Sequence, residues 1–409
     1  MKTASIIGGG AAGFFAAIRL AELRPDIKVR LYEKSPQVLG KVKVSGGGRC
    51  NVTHQCLDPR ELVKFYPRGG KSLIGPFTRF GPVETIAWFE SKGVALRTEY
   101  DGRMFPVTNV SATIVDCLID AAKNAGVEIY TKYGVDAFEP INEGKDGWKI
   151  LFSDDKEEIT DYLMIATGSS ELIWKQLKKL HLQINEAVPS LFTFNIKDDR
   201  LVDLLGISFP NVKVNVTNTK LESEGALLIT HWGLSGPGIL KLSSWGAKEL
   251  NVLKYKFNLL LNFLPQYNQE SMFLELNNLK YINSKKQIYG FSPFEEISKR
   301  FWIRLLETSK IADNLNWADL TNAHLRKLSQ ELVAGIYEVN GKSTYKDEFV
   351  TCGGIALSEI DLKRMSSKKY ANLYFGGEVM DVDALTGGFN FQNAWTSGWI
   401  AGSEMGLSR

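Results

Sequence analysis

The chain has little of what would place it in a membrane, on a nucleic acid or in a disulfide framework. No apolar run approaches the ~20 residues that a spanning helix needs. The sequence opens MKTASII, strand-like almost at once, so no charged and apolar leader is expected. An excess of one charge is missing too. The 49 Lys and Arg stand against 46 Asp and Glu, for a net charge of +3, too balanced to supply a basic face for nucleic acid or an anionic membrane surface. Cysteine is scarce: Cys50, Cys56, Cys117 and Cys352 are all there is. A reduced, cytoplasmic protein is therefore expected. Internal repeats and low-complexity linkers are absent. At 409 residues the chain exceeds what one core usually spans, so two or three domains are expected.

Against those absences, glycine is placed with purpose. Residues 6–13 read IIGGGAAG, which holds Gly8-x-Gly10-x-x-Gly13 between a strand-like run and a segment of helical spacing over 11–23. Gly8 permits the tight turn, Gly10 lets the backbone approach a pyrophosphate, and Gly13 lets the helix pack close to the strand. The N–H groups of the helix N-terminus, Ala11 and Ala12 among them, favour phosphate. A second strand over 27–32 closes a βαβ-like unit. Glu33 comes next, twenty residues past Gly13, where a carboxylate can accept hydrogen bonds from a ribose 2′-hydroxyl. Lys34 is its neighbour. The pattern predicts dinucleotide binding.

Further along, 35–56 reads as glycine-rich loop. Helices are expected over 82–92 and 111–125, with Gly93 and Gly126 as their C-caps. Strands are expected over 127–133, 135–138, 148–152 and 158–166. Residues 191–262 look strand-rich, with a helix after Ser235, and 268–331 look helical. Strands return over 332–339, 349–355 and 373–375 before a last helix over about 390–405. This order predicts a nucleotide-binding domain over 1–189 and 346–409. A β-rich insertion would cover 190–262 and 332–345, and it would carry a helical subdomain over 263–331.

A fingerprint of this kind does not by itself separate FAD from NAD. Residues 376–402, GGEVMDVDALTGGFNFQNAWTSGWIAG, point to a flavin. Glu378 or Asp381 can take the ribitol hydroxyls. The backbone of Gly388, Phe389 and Asn390, opening the last helix, can face the flavin N1/O2 edge and stabilise its reduced, anionic form.

In order along the chain, IIGGGAAG, SGGGRCN, DGRMFP (101–106), ATGSS, THWGLSGP, TCGGI and GGEVMDV…TGGFNFQNAW resemble the YhiN-like flavoproteins, also called the aminoacetone oxidase or BaiN-like family. The resemblance spans nearly the whole chain. It implies an α/β fold: a discontinuous Rossmann-like FAD-binding domain of the glutathione-reductase type, with an inserted β-barrel-like domain and a small helical domain. It implies bound FAD on Gly8, Gly10, Ala11, Ala12 and Gly13, with Glu33 and Lys34 at the adenosine and Val135 at the adenine. Ala166, Thr167 and Gly168 would flank the adenine. Lys41 and the run Ser45, Gly46, Gly47, Gly48, Arg49, Cys50 and Asn51 would run along the pyrophosphate and flavin. Gly377, Glu378, Gly388, Phe389, Asn390 and Gln392 would lie at the ribitol and ring.

The expected activity is hydride transfer between a small organic substrate and the flavin. No second nucleotide fingerprint is present, so NAD(P)H is expected only as a transient reductant, with oxygen or another acceptor as alternatives. Arg49, Arg103, His231 and Trp232 are candidates to line the substrate pocket. Arg103 and His231 are the candidate catalytic residues, His231 as an acid or base. Three other readings stand beside this one. A flavin disulfide reductase would use Cys50 and Cys56, yet five residues separate them where that chemistry uses four. An RNA-acting or non-catalytic flavin-binding protein is the second. The third is a metal site at Cys50, His54 and Cys56, which lacks the fourth ligand and partner pair a structural zinc requires. No metal, no nucleic acid and no membrane partner is expected.

Overall fold

The computed structural model describes residues 1–343 and 350–407. Two compact units emerge, Met1–Pro189 with Lys346–Arg409, and Ser190–Tyr345. The boundary expected at 345/346, and the Phe349 start of one expected strand, lie outside the described residues.

In the first unit, strand Thr3–Ile7 pairs in parallel with Lys28–Glu33 on one side and Tyr162–Ile165 on the other. Leu373–Phe375 and Glu128–Thr131 extend the parallel set outwards. Two short antiparallel strands, Ile360–Asp361 and Ser366–Ser367, finish one edge. A parallel sheet is covered on both faces, which is why Tyr162–Ile165 reads as the unbroken apolar run YLMI and is buried throughout. Helix Ala11–Leu23 covers one face, and helix Phe389–Leu407 packs along it. Their close approach depends on small residues. A Cβ on Gly398 would sit 2.4 Å from the Ala12 carbonyl oxygen, and one on Gly402 would sit 2.5 Å from that of Ala16.

Several expectations change in detail. The single strand expected over 158–166 is two. Glu157–Thr160 joins an antiparallel sheet with Val135–Pro140 and Trp148–Phe152, whereas Tyr162–Ile165 enters the parallel sheet. Asp161 makes the break, its carboxylate accepting from Thr3 N at 2.7 Å. The 35–56 segment is not all loop, because helix Gly40–Gly48 forms there before kinking at Ser45–Gly47. Leu332 ends a helix, Asn322–Val333, rather than opening a strand. The buried series Leu325, Leu328 and Leu332 has helical spacing, and the strand begins at Gly335. Strand Ile184–Ser190, paired with Val350–Ile355, was not expected.

The second unit is built on a six-stranded antiparallel sheet. Its order is Phe194–Asn195, Gly233–Ser235, Glu222–Thr230, Ser208–Val216, Lys256–Asn262, Gly335–Asn340. The two edges meet where Phe194 bridges to Lys342 and Asn195 N donates to Gly341 O. The sheet therefore curls into a nearly closed barrel. Alternate residues Val212, Val214 and Val216 are buried, as are Leu259, Leu261, Tyr337 and Val339. Helix Pro237–Trp245 comes after Ser235 as expected. Helices Gln269–Ile282, Lys299–Thr308 and Asn322–Val333 enclose a second core around Trp302 and Trp317. Among the described residues no helix is long and apolar enough to cross a membrane.

Candidate cofactor site

In an open α/β sheet, ligands gather beyond the carboxyl ends of the parallel strands, where Gly8 and Ala166 follow two of these strands and Glu33 ends a third. Gly8 succeeds strand Thr3–Ile7 with φ +112°, and a Cβ on it would lie 2.3 Å from Ala166 O. A Cβ on Gly13 would lie 2.0 Å from Gly8 O. Both positions are closed by protein backbone. Gly10 differs: a Cβ there would meet nothing within 4 Å. The three glycines thus divide as the fingerprint requires, two serving close packing and one facing open space at a helix N-terminus. Glu33 accepts from Gly9 N at 2.9 Å and from Ser35 N at 2.8 Å. This aims its carboxylate across the glycine turn and leaves a second lone pair on each oxygen. A Cβ on Gly134, which precedes Val135, would sit 4.0 Å from Lys34 Cβ. The Val135 side chain itself is buried in the core.

Four of the six residues of the SGGGRC segment have positive φ, with Ser45 and Arg49 at negative values. Gly46, Gly47, Gly48 and Cys50 have φ of 58°, 67°, 81° and 59°, which three glycines adopt without strain. Gly47 and Gly48, like Gly40, face open space. Ser45 turns back to donate to Val42 O at 2.8 Å, and Ser111 holds the loop from outside by donating to Lys43 O at 2.6 Å.

The third segment meets the first two. Gly376 and Gly377 lie against Ala12, and Gly377 N donates to Ser397 Oγ at 2.8 Å. Glu378 accepts from Lys41 Nζ at 2.5 Å and from Thr351 N at 2.9 Å, with Gly168 beside it. Asp381, almost buried, takes Asn185 Nδ2 at 2.6 Å on one oxygen. At Gly388, φ +88° and a contact of 2.6 Å from a built Cβ to Thr53 O both demand glycine. The first-turn N–H groups after it, at Phe389 and Asn390, have no intrahelical acceptor.

Three side chains expected on the cofactor have other work. Asn51, with its carbonyl turned to Gly388 N at 3.0 Å and its amide to Thr53 O at 3.0 Å, caps the glycine turn. Asn390 exchanges two hydrogen bonds with the Ala384 backbone, at 2.9 and 3.0 Å. Gln392 is fully buried, accepting from Thr53 and donating to Thr85 and Thr396. A buried amide has to be satisfied, and here protein groups do it; these residues shape the loop. Sequence reasoning missed Thr53, Asn185 and the pair Arg68–Asp383. Asp383 is completely buried and binds Arg68 through two N–H groups, fixing 63–73 to the loop before the last helix. A lone acid within the apolar stretch VDAL was the available signal.

Arg49 and Arg103 both pair with carboxylates. Arg49 Nη1 pairs with Glu99 at 2.7 Å, and Arg103 pairs with Asp101 at 2.7 Å and Glu99 at 3.3 Å. A guanidinium held this way keeps its charge and can still meet an anion, which is the role expected of Arg103. His231 lies in the second unit, exposed at the tip between strands Glu222–Thr230 and Gly233–Ser235, beside the exposed Trp232.

A dinucleotide with a flavin fits these groups. Open space fronts Gly10, Gly40, Gly47 and Gly48. Two buried oxygens, Thr167 Oγ1 and Asp381 Oδ1, have no protein partner among the described residues. The thiols fit redox exchange poorly. Cys50 is completely buried, and that burial pushes its thiol up to about 12, so it is not a thiolate at neutral pH. His54 has both ring nitrogens in use, Nδ1 accepting from Cys56 N and Nε2 donating to Asp101 O. Among the described residues no group of three His, Cys, Asp or Glu side chains can hold a metal.

The chain is similar to known proteins over nearly its whole length. A 3-dehydro-bile acid delta(4,6)-reductase of Clostridium scindens is 24% identical over 98% of this chain and 98% of its own. A ribosomal RNA dihydrouridine synthase of Escherichia coli is 28% identical over 98% of this chain and 97% of its own. The crystal structure of a 3-ketosteroid-delta4-(5alpha)-dehydrogenase from Rhodococcus jostii shares the fold, with a TM-score of 0.53 at 13% identity, covering 99% of this chain and 97% of that one. The HI0933-like protein Rossmann domain matches residues 2–404: the chain belongs to the HI0933-like family.

Proposed function

We propose that the chain is an FAD-dependent oxidoreductase that saturates a carbon–carbon double bond conjugated to a carbonyl in a small organic substrate. The observation that carries the cofactor is Gly10, which faces open space at the N-terminus of helix Ala11–Leu23 with the Glu33 carboxylate aimed across the glycine turn. FAD held there supplies a hydride when reduced. The chain's own part is to bind and orient. The Ala11–Leu23 helix N-terminus and the backbone at Gly10 hold pyrophosphate, Glu33 holds the adenosine ribose, and Glu378 and Asp381 hold the ribitol. The first-turn N–H groups of Phe389 and Asn390 face the ring edge that becomes negative on reduction.

The type of substrate bond rests on the relatives' names. A delta(4,6)-reductase of a 3-dehydro bile acid and a dihydrouridine synthase both remove a double bond conjugated to a carbonyl. Hydride goes to the β-carbon, charge collects on the carbonyl oxygen, and a proton completes the α-carbon. NADH or NADPH, binding transiently, is the proposed reductant. Cysteine usage supports a reducing, cytoplasmic setting. A second reading, reduction of uridine in ribosomal RNA, is favoured by the 28% identical relative of that name; the net charge of only +3 weighs against it.

Anaerobic titration tests the proposal. The purified protein should carry flavin absorption bands that bleach with NADH or NADPH and return on adding a 3-oxo-4-ene steroid. A colourless protein that takes up no added FAD would end it. Return of the bands only with uridine-containing RNA would favour the second reading.

A further inference from the structure

Beside the glycine loop, one face of a small sheet gathers arginine. The sheet is Thr53–His54, Arg103–Pro106 and Leu96–Thr98, with Arg103–Pro106 in the middle. Arg97 stands opposite Phe105 in the register. Arg103 and Glu99 are each two residues from one of that pair, so all four side chains share a face. Arg49 reaches the same face from the left-handed loop. Its guanidinium lies 4.0 Å from the Phe105 ring centre and that of Arg103 lies 5.5 Å away. The ring edge in turn lies 3.1 Å from where a Cβ on Gly46 would be.

Three guanidinium groups thus converge on one carboxylate. Glu99 is 2.7 Å from Arg49, 3.3 Å from Arg103 and 3.7 Å from Arg97. Asp101 balances only Arg103. With three positive charges against two negative, the patch keeps a surplus of charge, and its fifteen guanidinium N–H donors exceed what two carboxylates can accept. The arginine side chains are about one-third to nearly one-half exposed, so the surplus faces solvent. Phe105 fixes two of the planes and lowers the ordering cost of binding.

We propose that Arg49, Arg97 and Arg103 form an oxyanion station that takes the carboxylate or phosphate of a small-molecule substrate and so orients its reducible end. This rests on the reading of the protein as a flavin reductase and adds that its substrate is an anion. Glu99 occupies the three forks in the absence of an anion and so competes with the arriving one.

The test uses the FAD-loaded protein and two probe pairs: 3-oxochol-4-en-24-oate with its methyl ester, and uridine 5′-monophosphate with uridine. Binding is read from perturbation of the flavin spectrum, and turnover separately as KM and kcat. A charge-assisted hydrogen bond is worth about 10-fold or more in affinity. Wild type should therefore favour at least one anionic probe over its neutral partner by about that factor. Arg97→Gln should erase most of the preference, raising KM with little change in kcat and no loss of FAD. Glu99→Gln should tighten anion binding several-fold, whereas a cluster acting only as a clamp would loosen and bind anions more weakly. Equal binding of anionic and neutral probes, an unchanged preference in both Arg97→Gln and Arg103→Gln, or weaker anion binding in Glu99→Gln would overturn the proposal. So would FAD loss in step with each arginine removed, or an arginine dependence confined to uridine-containing RNA. Preferential anion binding without any reduction would instead sink the reductase reading and leave the station standing.

Discussion

Two alanine substitutions three residues apart should have opposite consequences. Gly13→Ala places a methyl 2.0 Å from Gly8 O, a backbone atom that can yield only if the strand and helix separate. Overpacking of this kind costs roughly 3 kcal/mol at the severe end, and about 2–4 °C of melting temperature per kcal/mol predicts a fall of around 6–12 °C. Gly10→Ala meets nothing within 4 Å, and the residue's φ of −95° suits alanine. Its folding stability should stay level or rise by about 0.5 kcal/mol, because the unfolded chain loses freedom. The new methyl would stand where the pyrophosphate needs to approach the backbone. Loss of one charge-assisted hydrogen bond from a helix N–H costs about 1.5–3 kcal/mol, so FAD should bind about 10- to 100-fold more weakly. Thermal melts of the deflavinated proteins measure the first effect, and fluorescence quenching of titrated FAD measures the second. A Gly10→Ala protein that melts several degrees low, or binds FAD like wild type, would refute this division of roles. So would a Gly13→Ala protein with wild-type stability.

Arg68→Met should strand the completely buried Asp383 carboxylate and cost about 3–5 kcal/mol. Replacing Asp383 with leucine in the same protein should recover part of the loss, and melts of the single and double variants compare them. In native protein at pH 8, Cys50 should resist iodoacetamide, since a thiol pushed up to about 12 leaves about one thiolate in ten thousand. Mass spectrometry should find Cys50 labelled only after denaturation; prompt labelling would mean the loop opens.

What the sequence made legible was local. Helix Ala11–Leu23, its glycine turn and Glu33 depend on residues within one βαβ unit, and their spacing states the geometry. The positive-φ C-caps at Gly93 and Gly126 were readable for the same reason. The split at Asp161 was not, because Thr3 N, far away in sequence, decides it. The roles of Asn51 and Gln392 were hidden on similar grounds. An amide beside a cofactor motif looks like a ligand until Gly388, Thr53 and Thr85 are seen to use it. Arginine chemistry suits phosphate, but Glu99 meets Arg49 and Arg103 only through the folded sheet and loop, so spacing alone could not pair them.

The contact of Gly398 and Gly402 with Ala12 and Ala16 has a consequence for biosynthesis. The helix facing the proposed pyrophosphate leaves the ribosome long before the one facing the proposed flavin ring. Strand Leu373–Phe375 must also dock beside Tyr162–Ile165 before the sheet is complete. A nascent chain halted before these segments has half a cradle and no reason to retain a flavin. Cofactor loading would then report that synthesis has passed the last of these segments, and yellow colour in a ribosome-bound preparation would appear only once the chain through Gly402 has cleared the exit tunnel.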